Sequence, residues 1–172
     1  MKSVVLINPS LGTKYPQPPL GLLSLGTALK YRGYKVQLVD MNVNPMCPLP
    51  DADIYGVGIV SAAYESAKEL IKRLKDGNHN RIIIGGAHPS ALPESSFKES
   101  GADALVIGEG EEAIFEAVKS NGIIQMRYMD NIDNLPIADY GLLDWRQYHP
   151  HPPHGKYSPF IPLVTSRGCP FG

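Results

Sequence analysis

Continuous apolar runs alternate with amphipathic stretches from residue 3 to about residue 120 of this chain. Ser3-Val4-Val5-Leu6-Ile7-Asn8 is an unbroken, β-branched-rich run stopped by Pro9, the pattern of a strand buried on both faces. After a loop carrying Pro16, Pro18 and Pro19, residues 20–31 set Leu22, Leu25, Ala28 and Leu29 at helical spacing, and Gly33 ends the helix. Residues 34–40, 54–60, 81–85 and 104–107 read as further strands, and 63–75, 94–99 and 111–119 as helices. Five strands joined by such crossovers predict an α/β fold, a doubly wound parallel sheet with flavodoxin-like strand order. The rhythm fails from about residue 121 to 162, which predicts a connector whose start, 123–129, forms an extra strand or hairpin arm. The expected division is an α/β domain over 1–122, a connector over 123–162, and the beginning of another module over 163–172.

Composition narrows the class. With 172 residues, 43% hydrophobic and 19% charged, the chain is long enough to bury roughly two-thirds of its unfolded surface. A net charge of -1 from 16 basic and 17 acidic residues supplies no field for nucleic acid or an anionic membrane. Two cysteines, Cys47 and Cys169, make no disulfide framework, and no apolar run approaches the roughly 20 residues needed to cross a bilayer. Without a signal peptide after Met1, the cytoplasm is the expected location.

In an open parallel sheet, ligands bind beyond the carboxyl ends of the strands. Here those ends read Asn8-Pro9-Ser10, Val60-Ser61-Ala62, Gly85-Gly86-Ala87-His88 and Gly108-Glu109-Gly110. Glycines allow a bulky ligand to approach the main chain, so such loops in a row suit a long or flat ligand; singly, each pair also reads as a turn. A phosphate-accepting receiver needs a carboxylate after its third strand, which Val60-Ser61 lacks, and neither a P-loop nor a Gly-x-Gly-x-x-Gly fingerprint occurs. Glu109, Glu111 and Glu112 would repel phosphate and first read as partners of a helix dipole.

The stretches Pro16-Gln17-Pro18-Pro19-Leu20-Gly21-Leu22, Gly33-Tyr34-Lys35-Val36, Gly85-Gly86-Ala87-His88-Pro89 and Gly108-Glu109-Gly110-Glu111 together resemble the N-terminal cobalamin-binding domain of cobalamin-dependent radical S-adenosylmethionine enzymes. Thr165-Ser166-Arg167-Gly168-Cys169-Pro170-Phe171-Gly172 is similar to the start of that family's Cys-x-x-x-Cys-x-x-Cys motif. Within the family the chain looks most like anaerobic magnesium-protoporphyrin IX monomethyl ester oxidative cyclases, although the same front domain also precedes methyltransferases.

The resemblance implies a corrin over the sheet's carboxyl edge with its nucleotide tail threaded between strands. Ser61, Gly85, Gly86, Gly108 and Gly110 then become contacts, His88 a donor to a corrin amide or tail phosphate, and Asn8, Pro9 and Leu11 the support of the lower face. Other cobalamin domains carry Asp-x-His-x-x-Gly after the first strand; Asn8-Pro9-Ser10-Leu11-Gly12 holds no histidine, so no imidazole from this loop is expected on cobalt. Cys169 becomes the first ligand of a 4Fe-4S cluster that binds S-adenosylmethionine in the full-length protein only. The expected partners are the protein's own downstream radical domain and a small-molecule or porphyrin-like substrate, and the chain alone is expected to be inactive. The competing reading is a noncatalytic flavodoxin-like module for another nucleotide or for assembly.

Cys47 reads as a loop or packing residue. Tyr148-His149-Pro150-His151-Pro152-Pro153-His154 groups three imidazoles, but its prolines favour an extended, surface-draped segment over a metal site. Tyr140, Trp145, Tyr148, Tyr157 and Phe160 are expected to pack on another domain or expose apolar surface.

Overall fold

Strands that are apolar on both faces can be satisfied only between two layers of helices, and that is what the chain builds. A computed structural model describes residues 1–77, 80–126, 129, 131–149, 161–164 and 166–167. The strands are β1 (Ser3–Asn8), β2 (Lys35–Asp40), β3 (Ile54–Gly58), β4 (Arg81–Gly85), β5 (Ala104–Ile107) and β6 (Gly122–Gln125). All pair in parallel, in the order β2-β1-β3-β4-β5-β6. This is the expected flavodoxin-like order, with a sixth strand added at the edge where the sequence pattern suggested a strand or hairpin arm.

The helices are α1 (Leu20–Tyr31), α2 (Tyr64–Gly77), α3 (Ala87–Ala91), α4 (Pro93–Ser100) and α5 (Gly110–Ala117). Period-2 alternation divides the core. Val5, Ile7, Tyr55, Val57, Ile82, Ile84 and Leu105 point to the layer containing Ala67, Leu70 and Ile71 of α2. Val4, Leu6, Ile54, Ile83, Ala104 and Val106 point to the opposite layer, with Leu22 and Leu29 of α1 and Ala113, Ile114 and Ala117 of α5. Burial of each large aliphatic side chain contributes about 1.5–3 kcal/mol, so these two clusters carry most of the fold's stability.

Helix α3 falls where a loop was expected. Gly86, at φ +108°, turns the chain sharply out of β4, and Pro89 is buried one turn later. The connector also has local structure among its described residues. It makes three single-turn 3₁₀ helices, Ile132–Asn134, Tyr140–Leu142 and Trp145–Gln147, each started by a side chain accepting a backbone N–H two residues ahead: Asn131, Asp139 and Asp144. Three of its described aromatics, Tyr140, Trp145 and Tyr148, pack on one another. Tyr140 and Trp145 lie 5.1 Å apart, Trp145 and Tyr148 5.9 Å, and Tyr148 is buried. Tyr157, Phe160, His151 and His154 lie outside the described residues. Cys47 packs, partly buried, against the α2-side core. Among the described residues no helix is long and apolar enough to cross a membrane.

Candidate functional site

On the α1–α5 face, the last inward positions of the adjacent strands β3 and β4, Gly58 and Gly85, have no side chain. Side chains two apart share a face, so Ile54, Gly56 and Gly58 of β3 look the same way as Ile83 and Gly85 of β4 and Val106 of β5. Register sets Gly58 opposite Gly85, and Gly85 opposite Val106, with Gly108 two residues further on. The result is a glycine shelf at the carboxyl end of the sheet, bounded by Asn8 at the end of β1.

Packing within the protein already covers four of the cavity's glycines, with only Gly86 held against backbone: a Cβ on Gly58 or Gly110 would sit 2.9 Å from Leu22 Cδ2 or Leu25 Cδ2. A Cβ on Gly86 would sit 2.7 Å from the carbonyl oxygen of Ile59, and one on Gly56 would sit 2.7 Å from Leu6 Cδ2. Gly85 differs, because a Cβ there would meet Val106 at 3.5 Å, an ordinary contact. Its lack of a side chain is therefore not explained by packing within the protein.

Above the shelf lies a cavity of about 950 Å³. Its floor is Leu6, Asn8, Gly56, Gly58, Ile83, Gly85 and Val106, and its walls are α1 from Leu20 to Leu25 and the start of α5 from Gly108 to Glu111. The connector closes another side with Leu135, Pro136 and Tyr140, and Leu163, Val164 and Arg167 complete it. The volume matches the upper range of pockets that enclose organic ligands, and the lining is mainly apolar with a few polar groups.

The polar groups centre on Glu111, a buried carboxylate in the first turn of α5. Ser24 Oγ of α1 donates to its Oε1 at 2.8 Å, and Arg167 approaches the same oxygen at 2.5 Å. Arg167 also lies 3.6 Å from Glu109, whose other oxygen accepts the N–H of Met129. Burial pushes the Glu111 carboxyl up, but hydrogen bonds from Arg167 and Ser24 outweigh it and hold the group below the usual glutamate value. With Glu109, Glu111 and Asp133 set against Arg167, the charged lining is net acidic.

Of the residues singled out from sequence, Asn8, Gly85, Gly86, Gly108 and Gly110 line this cavity, while Pro9, Leu11, Ser61 and His88 lie outside its lining. Ser61 and His88 nevertheless meet each other, Ser61 Oγ 3.1 Å from His88 Nδ1, with the Tyr64 ring centroid 4.0 Å from that of the imidazole. Asn8 belongs to a second network. Its Nδ2 donates to Asp40 at 2.9 Å, Tyr148 O–H donates to the other Asp40 oxygen at 2.8 Å, and Asn42 joins Asp40 to the Pro9 carbonyl and the Leu11 N–H. This fastens the loop after β1. Cys169 lies outside the described residues. Among those residues, no group of three or more His, Cys, Asp or Glu could hold a metal.

Sequence reasoning passed over Gly56, Gly58, Ser24 and Arg167. The two glycines could have been found, because Gly-x-Gly inside a strand places both on one face. Ser24 and Arg167 meet Glu111 across 87 and 56 positions, and no local signal marks such contacts.

The model of the B12 binding domain matches residues 11–118. The chain is 28% identical to an uncharacterized methyltransferase of Pyrococcus horikoshii, over 90% of this chain and 39% of that protein. It is also 28% identical to the anaerobic magnesium-protoporphyrin IX monomethyl ester cyclase of Synechocystis, over 95% of this chain and 39% of that protein. It therefore spans 39% of the length of either relative. The radical S-adenosylmethionine methyltransferase TsrM of Kitasatospora setae, solved with cobalamin and a 4Fe-4S cluster bound, superposes with a TM-score of 0.59 at 21% identity, over 68% of this chain and 26% of that one. That likeness shows the shared fold.

Proposed function

This chain belongs to the B12-binding domain family, and from that premise we propose that it is the cobalamin-binding module of a radical S-adenosylmethionine enzyme, with the cofactor seated on the glycine shelf. Gly85 would let the ligand lie against the main chain with Gly86, Gly108 and Gly110 bordering it, Leu22 and Leu25, which pack over Gly58 and Gly110, would flank its apolar parts, and Asn8 would meet its edge. Ser61 and His88, paired with each other after β3 and β4, would offer hydrogen bonds to peripheral amides. When bound, cobalamin supplies a cobalt centre that can carry an alkyl group. The residues of this chain bind it, orient it and exclude water from one side.

The observation that carries this reading is the vacant face of Gly85, which borders the cavity and which packing within the protein leaves unexplained. The net acidic lining argues against the competing reading of a phosphate-rich nucleotide, whose charge it would repel. For the whole protein, Cys169 would begin the set of thiolates holding a 4Fe-4S cluster with S-adenosylmethionine. The reaction would be methyl transfer or ring closure on a small-molecule or porphyrin-like substrate, the two activities named among its relatives.

The test is retention of hydroxocobalamin. Mixed with the chain and then desalted, it should remain with the protein as corrin absorbance, whereas Gly85→Leu should fold and lose about 90% of that absorbance, a change of ~1.4 kcal/mol or more. If the unsubstituted chain retains no corrin, the reading fails.

A further inference from the structure

The Glu111–Arg167 pair joins two parts of the chain that the fold does not otherwise require to meet. Glu111 stands at the start of α5 inside the cavity wall, while Arg167 belongs to a stretch beyond the sheet and, in sequence, precedes Cys169 by two positions. We propose that this ion pair couples the cavity's contents to the placement of that stretch: ligand strengthens the pair, and the pair retains the ligand. The proposal rests on the cobalamin reading above. Arg167 is on this view a positioning residue.

The physical argument has three parts. Glu111 is only 6% exposed, so moving Arg167 away would leave a buried carboxylate with Ser24 as its remaining side-chain partner, which is costly. The pair forms part of the cavity wall, and a ligand filling the space beside it expels water, lowers the local dielectric and strengthens the attraction. Finally, Leu163 and Val164 line the same cavity yet remain 73% and 62% exposed, apolar surface that a ligand would cover. Thermodynamic linkage makes the effect mutual: whatever the ligand adds to the stability of the pair, the pair adds to the retention of the ligand.

Trypsin reads this coupling directly, because Arg167 is itself a cleavage site and its side chain is 32% exposed. With hydroxocobalamin bound, cleavage after Arg167, followed by mass spectrometry, should slow about fivefold or more relative to the unloaded chain. In Glu111→Gln the loaded and unloaded rates should converge. Independently, Arg167→Met should release corrin about tenfold faster than the parent chain, and Arg167→Lys, which restores the charge but not the fork, should fall between them. Equal cleavage rates with and without bound corrin, or parental release from Arg167→Met, would overturn the coupling and leave the cobalamin reading standing. Failure of the parent chain to retain corrin would remove both.

Discussion

Gly86 occupies a position that only glycine fits. Its φ of +108° disfavours side chains, and an added Cβ would press on both the oxygen and the nitrogen of Ile59, at 2.7 and 2.9 Å. Since Ile59 N–H donates to the Gly85 carbonyl and His88 N–H to the Ile59 carbonyl, the clash would disturb the bonds joining β3 to the start of α3. Gly86→Ala should therefore destabilise the fold by about 2 kcal/mol or more, seen as a lower denaturation midpoint. Tyr148 is the corresponding polar case. Burial first, then the charge of Asp40 and its hydrogen bond to that carboxylate, raise the phenol's pKa far above the usual tyrosine value. A raised pKa means stability fully present below about pH 10, where unfolded tyrosine begins to ionise, and lost as pH climbs toward the folded value. Tyr148→Phe should cost about 1–3 kcal/mol at neutral pH. Compared by denaturant titration, the parent chain should lose this advantage over the variant in alkali.

At the scale of elements, α1 carries more than its apolar stripe. Thr27, buried within it, donates to the Leu23 carbonyl and accepts the N–H of Asp139, both at 2.8 Å, while Lys30 pairs with the Asp139 carboxylate. The helix thus anchors the first part of the connector. Thr27→Val keeps the shape and removes the acceptor, so hydrogen exchange at the Asp139 amide should accelerate by about tenfold while amides of the central strands stay protected. Sequence periodicity revealed α1, α2, α5 and the strands because each buries a repeating face. It gave no sign of α3, whose five residues start from a backbone turn at Gly86, and it could not show that the connector folds back on α1. The shelf was half legible: Gly85, Gly86, Gly108 and Gly110 stand at strand ends, whereas Gly56 and Gly58 sit inside a run read simply as strand. Glu111 was visible as a helix-starting acid, but its burial depends on partners brought by tertiary folding.

For the whole molecule, the six-stranded parallel sheet leaves a hollow between its carboxyl edge and one layer of helices, α1 with α5. Ligand energy and folding energy therefore share one space. Cobalamin at 100 times its dissociation constant should add about 2.7 kcal/mol to stability and raise the melting temperature by about 5–10 °C, which differential scanning fluorimetry would detect. A ligand bound only to the outer surface of the unfolded and folded chain alike would produce no such rise.

The phenol of Tyr148 beneath Asp40 sets the practical limits of this domain. A clone stopped at the last strand would retain all six strands of the sheet, yet it would expose the carboxylate that Tyr148 covers and strip the hollow of Leu135, Pro136 and Tyr140. The smallest piece worth expressing is thus defined by an aromatic plug rather than by the edge of the sheet.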